Sequence, residues 1–124
     1  MSSENLLIHL SPRQGYNQVF ALGQYNMRLS QFGLLKLSAG TSYSGDTAGS
    51  EVALVLIGGN FRAAGQDWEY TVLDGRRSPF TGKPHCLYLP RQTKYCITAI
   101  SEVELACCSS PADRDTAKPT LIRP

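Results

Sequence analysis

The sequence predicts an all-β domain that folds as a sandwich or a jelly-roll barrel. Short runs rich in Val, Ile, Leu and Tyr alternate with clusters of Gly, Pro, Ser and Asp along the 124 residues. Such runs are typical of strands and turns, and no segment keeps an amphipathic helical spacing for three turns. Hydrophobic residues make up 42% of the chain and charged residues 18%, a balance that supports a packed core and excludes a disordered chain.

About nine strands are expected, a number and spacing typical of a sandwich or a jelly roll. The run from Val52 to Ile57 is apolar at every position, so both faces of this strand should be covered and it should lie centrally. Residues 65–67 are a predicted hairpin turn, and residues 40–50 a predicted long loop. The predicted strands cover residues 6–10, 18–22, 27–37, 52–57, 60–64, 68–73, 86–89, 94–100 and 103–108.

The length predicts one domain, because a chain of this size buries enough surface for a single core. We expect the compact unit to cover residues 1–110. Residues 111–124 become polar and contain proline, which predicts a linker-like tail.

The charge balance argues against a nucleic-acid surface. Twelve basic and ten acidic residues give a net charge of +2, and Arg76 and Arg77 form the one adjacent basic pair, which indicates either an anion contact or a solvated turn. No apolar run is long enough to cross a bilayer, and the N-terminus lacks a signal-peptide pattern. We therefore expect a soluble cytoplasmic protein with neither a nucleic-acid nor a membrane partner.

Cysteine and histidine usage predicts no zinc site. Cys86, Cys96, Cys107 and Cys108 include no Cys-x-x-Cys pair, and the chain has only two histidines. Cys107 and Cys108 should point to opposite faces of a strand, as should the adjacent His85 and Cys86, so neither pair should share a site. Buried, reduced thiols are expected for all four cysteines.

Several segments carry a family resemblance. The spacing of the first cupin motif is found in Gly40, Glu51, Val55, Leu56 and Gly58. A segment similar to the second cupin motif begins at Pro90. The chain resembles the first half of the 5-deoxyglucuronate isomerase family in five segments, which follow in the family's order: Glu51 to Gly59, Gly65 to Trp68, Tyr88 to Pro90, Glu104 to Pro111 and Leu121 to Pro124.

The resemblance implies a cupin-type jelly-roll barrel, the N-terminal one of a fused pair. It also implies a reaction, the interconversion of an aldose-type sugar acid and its ketose form in inositol catabolism. The family's metal and catalytic histidines lie in the second barrel, which has no counterpart in this sequence.

The metal ligands of a cupin are mostly missing from this chain. A metal cupin brings together two histidines and a glutamate from its first motif with a histidine from its second. Counting from Gly40 places Asp46 and Ala48 at the first two positions, and counting from Pro90 places Tyr95 at the last, so only Glu51 is kept. We therefore predict no metal, no cofactor and no catalytic residue in this chain.

Glu51 and Tyr95 are the candidate pocket residues. Glu51 has the strand parity of Ala53 and Val55, and Tyr95 the parity of Ile97, so both side chains could point inward. One interpretation is a relic pocket in which the two bind a small polar ligand. The other is that Glu51 is a surface carboxylate at the start of its strand.

Three functional hypotheses follow. The first is a metal-free half of the isomerase that serves folding and assembly, with a second cupin domain or a second copy as its partner and no activity alone. The second is a free-standing metal-free cupin that binds a small sugar acid or has a regulatory role. The third is a small enzyme that uses Glu51 and Tyr95 as acid and base, so whether the chain is itself an enzyme stays open.

Overall fold

The protein, described here by a computed structural model, consists of two antiparallel β-sheets packed face to face. The structure describes residues 13–20, 31–113 and 117–124. The strands are β1 (Gly15–Phe20), β2 (Gln31–Leu37), β3 (Ser42–Asp46), β4 (Ser50–Gly58), β5 (Phe61–Ala64), β6 (Glu69–Val72), β7 (Cys86–Leu89), β8 (Lys94–Ala99), β9 (Val103–Pro111) and β10 (Thr120–Ile122).

The six strands of the large sheet follow the order β1-β2-β9-β4-β7-β10, and the four strands of the small sheet follow the order β3-β8-β5-β6. This arrangement confirms the predicted all-β jelly-roll class, as two facing sheets and not as one closed barrel. Within the described ranges, no helix is present that could span a membrane.

Most of the predicted strands are found close to their expected positions. Strands β4 to β9 all overlap predictions, and β1 begins at Gly15, three residues before its predicted start. The predicted strand at residues 6–10, residues 21–22 of the next one and residues 27–30 of the third lie outside the described residues.

Strand β3 corrects the prediction of a long loop over residues 40–50. Its residues Ser42, Ser44 and Asp46 are exposed, whereas Tyr43 and Gly45 are half-buried. The segment has few apolar residues, and its backbone pairs with β8 from Ser42 opposite Thr98 to Asp46 opposite Lys94. The pairing partner therefore makes this polar segment a strand, although its own composition favours a loop.

The segment predicted as a linker-like tail also contributes to the large sheet. Strand β9 continues to Pro111, and β10 pairs with β7 from Thr120 opposite Tyr88 to Ile122 opposite Cys86. Leu121 packs against the core from the inner side of this edge strand. These parts of residues 111–124 therefore belong to the packed fold.

The core lies between the two sheets. Strand β4 is central in the large sheet, between β9 and β7, as its apolar sequence predicts. Its inner face carries Val52, Leu54 and Leu56, and Leu56 is fully buried. The other fully buried large side chains come from both sheets and include Leu87, Leu89, Leu105, Ile97 and Phe61.

Side chains join the sheets at their lateral edges. On one side, Tyr16 of β1 stacks on Tyr43 of β3 with ring centroids 6.2 Å apart. On the other side, the Tyr70 hydroxyl of β6 donates a hydrogen bond of 3.0 Å to the Pro119 carbonyl, just before β10. These contacts hold the two sheets together where no backbone ladder links them in the described part of the chain.

Candidate functional site

A cavity of about 220 Å³ opens between the sheets near their β1 and β3 edges. Three tyrosines from three strands line it, Tyr16 of β1, Tyr43 of β3 and Tyr95 of β8, together with Cys107 of β9. The other lining residues are Gln18, Gln31, Asp46, Thr47, Ser50, Val52 and Ser109. The cavity is therefore lined largely by neutral hydrogen-bonding groups.

Two glycines make room for the tyrosine rings. Gly45 lies opposite Tyr95 in the β3 and β8 ladder, and a Cβ atom at Gly45 would stand 2.5 Å from the Tyr95 hydroxyl oxygen. In the large sheet, the Tyr16 hydroxyl lies against Gly33 of β2 in the same manner. A glycine inside a strand often marks such a close approach.

The three rings form one cluster that crosses from the large sheet to the small sheet. The Tyr16 and Tyr43 rings are nearly parallel, at 22°, whereas the Tyr43 and Tyr95 centroids lie 6.5 Å apart with their planes at 50°. Aromatic pairs at these distances contribute roughly 0.5–1.5 kcal/mol beyond the area they bury. The cluster therefore stabilises the wall of the cavity as well as lining it.

Burial raises the pKa values of these tyrosine and cysteine side chains, which are protonated at neutral pH. Loss of water contact raises the pKa of Tyr16 to about 12, and it raises the pKa of Tyr43 and that of Tyr95 as well. Burial, followed by the nearby Cys108 thiol, raises the pKa of Cys107 to about 12. The cavity therefore presents neutral phenols and a neutral thiol.

These residues do not fit the divalent metal that the family resemblance implies. Such ions prefer imidazole nitrogen, thiolate sulfur or carboxylate oxygen, and here the phenols and the thiol hold their protons. Asp46, the one carboxylate among the described lining residues, accepts a hydrogen bond of 2.8 Å from the Ala48 backbone N–H. The described residues contain no group of three or more His, Cys, Asp and Glu side chains that could bind a metal ion.

Glu51 lies outside this cavity, which corrects its predicted pairing with Tyr95. It is exposed on the outer face of β4, where its Oε2 accepts a hydrogen bond of 3.0 Å from the Tyr88 hydroxyl. The inner parity of β4 belongs to Val52 and Leu54 instead. The relic pocket of Glu51 and Tyr95 is therefore not formed, and Glu51 has the surface position that was the alternative interpretation.

Tyr95 does lie on the inner face of β8, which it shares with the buried Ile97 and Ala99. Sequence reasoning did not identify its neighbours Tyr16, Tyr43 and Cys107 as cavity residues. The available signal was weak, namely single glycines within strand segments at the positions that face two of the tyrosine rings.

The thiols divide between the two faces of the sheets. Cys107 is buried, Cys86 and Cys96 are half-buried, and Cys108 is exposed; all four are free. Cys107 and Cys108 point to opposite faces, as predicted. The expectation that all four thiols are buried is wrong for Cys108, which lies on the outward parity of β9.

Arg76 binds backbone carbonyls within the protein. The sequence predicts instead that Arg76 and Arg77 either contact an anion or lie in a solvated turn. The Arg76 guanidinium donates to the Leu56 carbonyl at 2.7 Å, to the Ile57 carbonyl at 3.1 Å and to the Gly82 carbonyl at 3.0 Å. These contacts fasten the loop after β6 to the end of β4. Arg76 is therefore committed to backbone carbonyls and not to an anionic ligand.

A second concavity, of about 1020 Å³, lies beside β6 and near the start of β10. Its aromatic part is Trp68 and Tyr70, with ring centroids 6.0 Å apart, and its basic groups are Lys94 and Lys118. The other side chains in this groove belong to Asp46, Ala48, Gln66, Asp67, Gln92, Thr93 and Pro119. We call it the Trp68 groove.

Backbone strain is concentrated at the same groove. Ala48 and Gln92 are the described non-glycine residues with positive φ, at 52° and 58°, and both line the Trp68 groove. The Gln92 N–H donates a hydrogen bond of 2.7 Å to the Ala48 carbonyl, so the two strained residues hold each other. Left-handed non-glycine residues persist where surrounding contacts fix them, often beside binding sites.

The sequence is similar to curated isomerases. It is 30% identical over 103 residues to the 5-deoxy-glucuronate isomerase of Bacillus licheniformis, a match that covers 81% of this chain and 38% of that protein. The isomerase of the same name from Bacillus subtilis strain 168 is 27% identical over 85 residues, covering 68% of this chain and 31% of that protein. The chain thus spans about a third of the length of these relatives.

The fold agrees with these relationships. An IolB-like protein from Salmonella typhimurium LT2 superposes with a TM-score of 0.80 at 26% identity, covering 90% of this chain and 43% of that one. A cupin superfamily protein from Desulfitobacterium hafniense superposes with a TM-score of 0.57 at 14% identity over 83% of this chain, which supports the cupin fold alone. Since the KduI/IolB family pattern matches residues 7–124, the chain belongs to the KduI/IolB family.

Proposed function

We propose that this chain is a metal-free cupin half of a sugar-acid isomerase, and that it serves folding and assembly and not proton transfer. The observation that carries this proposal is the tyrosine cavity, where Tyr16, Tyr43, Tyr95 and Cys107 occupy the space between the sheets. An isomerisation beside a carbonyl needs a group that stabilises the developing enediolate charge. Neutral phenols with raised pKa values are weak substitutes for a metal ion in that role.

The relatives supply the reaction in this proposal. Their name, 5-deoxy-glucuronate isomerase, indicates a sugar-acid substrate, and the match covers 38% of the Bacillus licheniformis protein. We assign proton transfer to a second cupin domain and assembly to this one. We also propose a role in inositol catabolism, and a location in the cytoplasm, whose reducing conditions the four free thiols suit.

The test measures metal content and turnover on the same purified chain. Elemental analysis should find far less than one zinc, manganese or iron ion per chain, and 5-deoxyglucuronate should not be converted. The Tyr95→His variant should remain metal-poor, because it adds one imidazole to a cavity with a single carboxylate. One bound metal per chain in the parent, or turnover above a heat-inactivated sample, would overturn the proposal.

A second candidate function is binding of a small sugar acid, favoured by the Trp68 groove. An indole face packs against the C–H groups of a sugar ring, and the ammonium groups of Lys94 and Lys118 can bind a carboxylate. Neither lysine forms an ion pair with a described residue. Such binding would suit a free-standing cupin or a regulatory role.

This candidate has a direct spectroscopic test, because Trp68 is the single tryptophan of the chain. Titration with glucuronate should change its fluorescence with saturation, and glucose at the same concentrations should have a smaller effect. Lys94→Met and Lys118→Met should weaken the response, whereas Lys83→Met, an exposed lysine outside the groove, should not. Equal responses to both sugars, or no response, would exclude sugar-acid binding at this groove.

A further inference from the structure

The outer faces of the two sheets differ in polarity. On the small sheet, the hydroxyls of Ser42 and Thr98 form a hydrogen bond of 2.9 Å between β3 and β8. Arg62 and Glu69 form a salt bridge of 3.2 Å between β5 and β6. The outward positions beside them, Ser44 and Lys94, are exposed polar residues. The outer face of the small sheet is therefore polar and suited to contact with water.

The large sheet has an apolar outer face instead. The strand registers align two rows of outward residues across it, one across five strands and one across four. The first row is Leu34, Ala106, Val55, Cys86 and Ile122. The second row is Phe32, Cys108, Ala53 and Tyr88.

These side chains are incompletely covered in the single chain. Ile122 is 55% exposed and Cys108 is exposed, while Val55, Ala53 and Ala106 are half-buried. We call the two rows together the apolar outer face. Monomeric proteins seldom leave a contiguous apolar surface of this kind in water.

Charges are confined to the ends of this face. Lys36 and Glu104 lie opposite each other in the β2 and β9 ladder, one row beyond Leu34. Glu51 lies at the other end, where the Tyr88 hydroxyl donates to it. Among the described residues, the middle of the face thus carries no charge that would have to be desolvated by a partner.

We propose that the apolar outer face is the interface between two copies of this chain in a two-fold symmetric dimer. This inference rests on the assembly role in the proposed function and gives that role its surface. A two-fold interface brings the same patch of both copies together, so it must tolerate contact with itself. A flat, uncharged centre built on Ala53, Val55 and Ala106 meets this requirement, with Lys36 and the glutamates at the solvent-exposed rim.

The area is adequate for a dimer. The five strands that carry these rows contain 32 residues, and with about 3.3 Å per residue and about 4.8 Å between strands they give roughly 500 Å² of flat sheet per copy. Side-chain relief increases the accessible area toward the ~800 Å² per partner of a standard interface. Sheets that pack face to face in this way lie about 10 Å apart.

The first experiment measures mass in solution. Light scattering on the native chain over a concentration series should reach twice 13.6 kDa. Val55→Lys places a charge at the centre of the face and should halve the mass, with an unchanged circular dichroism spectrum. The matched control Ser44→Lys adds the same charge to the outer face of the small sheet and should remain dimeric.

The second experiment needs no variant, so it holds even where Val55→Lys fails to fold. Cys108 belongs to the apolar outer face, whereas Cys96 lies on the outer face of the small sheet. Alkylation of Cys108 should slow as the concentration rises into the dimer range, and alkylation of Cys96 should keep its rate. Mass spectrometry of the labelled peptides separates the two sites.

Three results would overturn the inference: a native chain that stays monomeric throughout, a Val55→Lys variant that stays dimeric, or Cys108 alkylation that ignores concentration. A chain that stays monomeric because another polypeptide covers its apolar outer face would also overturn the inference. The proposed function fails separately, since bound metal in a chain that dimerises through this face would overturn it and leave the interface in place.

Discussion

The phenol of Tyr95 lies directly over the backbone of Gly45 on the neighbouring strand. A methyl group at Gly45 would stand 2.5 Å from the phenol oxygen and 2.6 Å from the ring carbon that bears it. No real Cβ atom approaches another heavy atom so closely, so the ring position depends on the missing side chain. A side chain at Gly45 of β3 would therefore displace Tyr95 and change the volume of the tyrosine cavity.

We expect Gly45→Ala to destabilise the fold by about 1–3 kcal/mol, because Tyr95 must leave its position against β3. The free energy of unfolding in urea is the measurement. Gly49→Ala is the matched control, since nothing lies within 4 Å of a Cβ atom at that position. Equal stability of the two variants would contradict the close packing of Tyr95 on Gly45.

The stability of the fold should fall at alkaline pH. The pKa of Cys107 rises on folding from 9.0 to about 12, and that of Tyr16 rises from 10.0 to about 12. The folded state thus holds these protons more tightly than the unfolded chain does. Their contribution to stability is fully present below pH 9 and is lost as the pH rises from 9 toward 12.

Urea unfolding at a series of pH values from neutral upward checks this dependence. Cys107→Ala should show a shallower loss of stability where the unfolded thiol begins to ionise, whereas Cys96→Ala, the control, should retain the parent slope. A parent profile that stays flat through that range would contradict the burial of these groups.

Arg76 and Arg77 should differ sharply in their contribution to stability. Arg76→Met removes hydrogen bonds from a charged donor to the Leu56, Ile57 and Gly82 carbonyls, and should cost roughly 1.5–3 kcal/mol. Arg77→Met removes the same charge from an exposed side chain and should change stability by less than about 0.5 kcal/mol. Thermal unfolding of the two variants makes the comparison, and similar losses would exclude the loop-fastening role of Arg76.

His85 should be replaceable by an apolar residue with a gain in stability. Its side chain is buried at 1% exposure, and neither ring nitrogen has a hydrogen-bond partner. The exposed Asp74 carboxylate lies 3.4 Å from Nε2 without hydrogen-bond alignment. We expect His85→Leu to raise the free energy of unfolding by ~1 kcal/mol, because an unsatisfied buried polar group is removed.

Denaturant unfolding measures this gain, with His85→Gln as the control that keeps a polar group of similar size at the same place. The glutamine variant should be no more stable than the parent. A leucine variant that loses stability would show that the imidazole makes a favourable interaction in the folded protein.

Much of the fold is determined by local sequence. The apolar runs of β4, β7 and β9 favour strands because they are short and bounded by turn residues, and the turn before β6 separates two more strands. The central place of β4 follows from its apolar residues on both parities. The inward position of Tyr95 follows from the parity it shares with Ile97 and Ala99.

The same property of β4 made its orientation undecidable from sequence. From Val52 to Ile57 the strand is apolar on both faces, so the pattern of this stretch does not specify which face is inward. Only the ladders with β7 and β9 place Leu54 and Leu56 inside, and they carry Glu51 to the outer face with Tyr88. The predicted contact between Glu51 and Tyr95 required the opposite orientation of β4.

Strands β3 and β10 and the tyrosine cavity also depend on tertiary structure. The residues of β3 are mostly Ser, Gly and Asp, and those of β10 are only three, so neither segment has enough apolar surface to define a strand alone. Pairing with β8 and β7 supplies the hydrogen bonds that their composition does not predict. By itself the sequence determined the strand-rich class, the family motifs and the scarcity of metal ligands, whereas long-range pairing decided which side chains meet between the sheets.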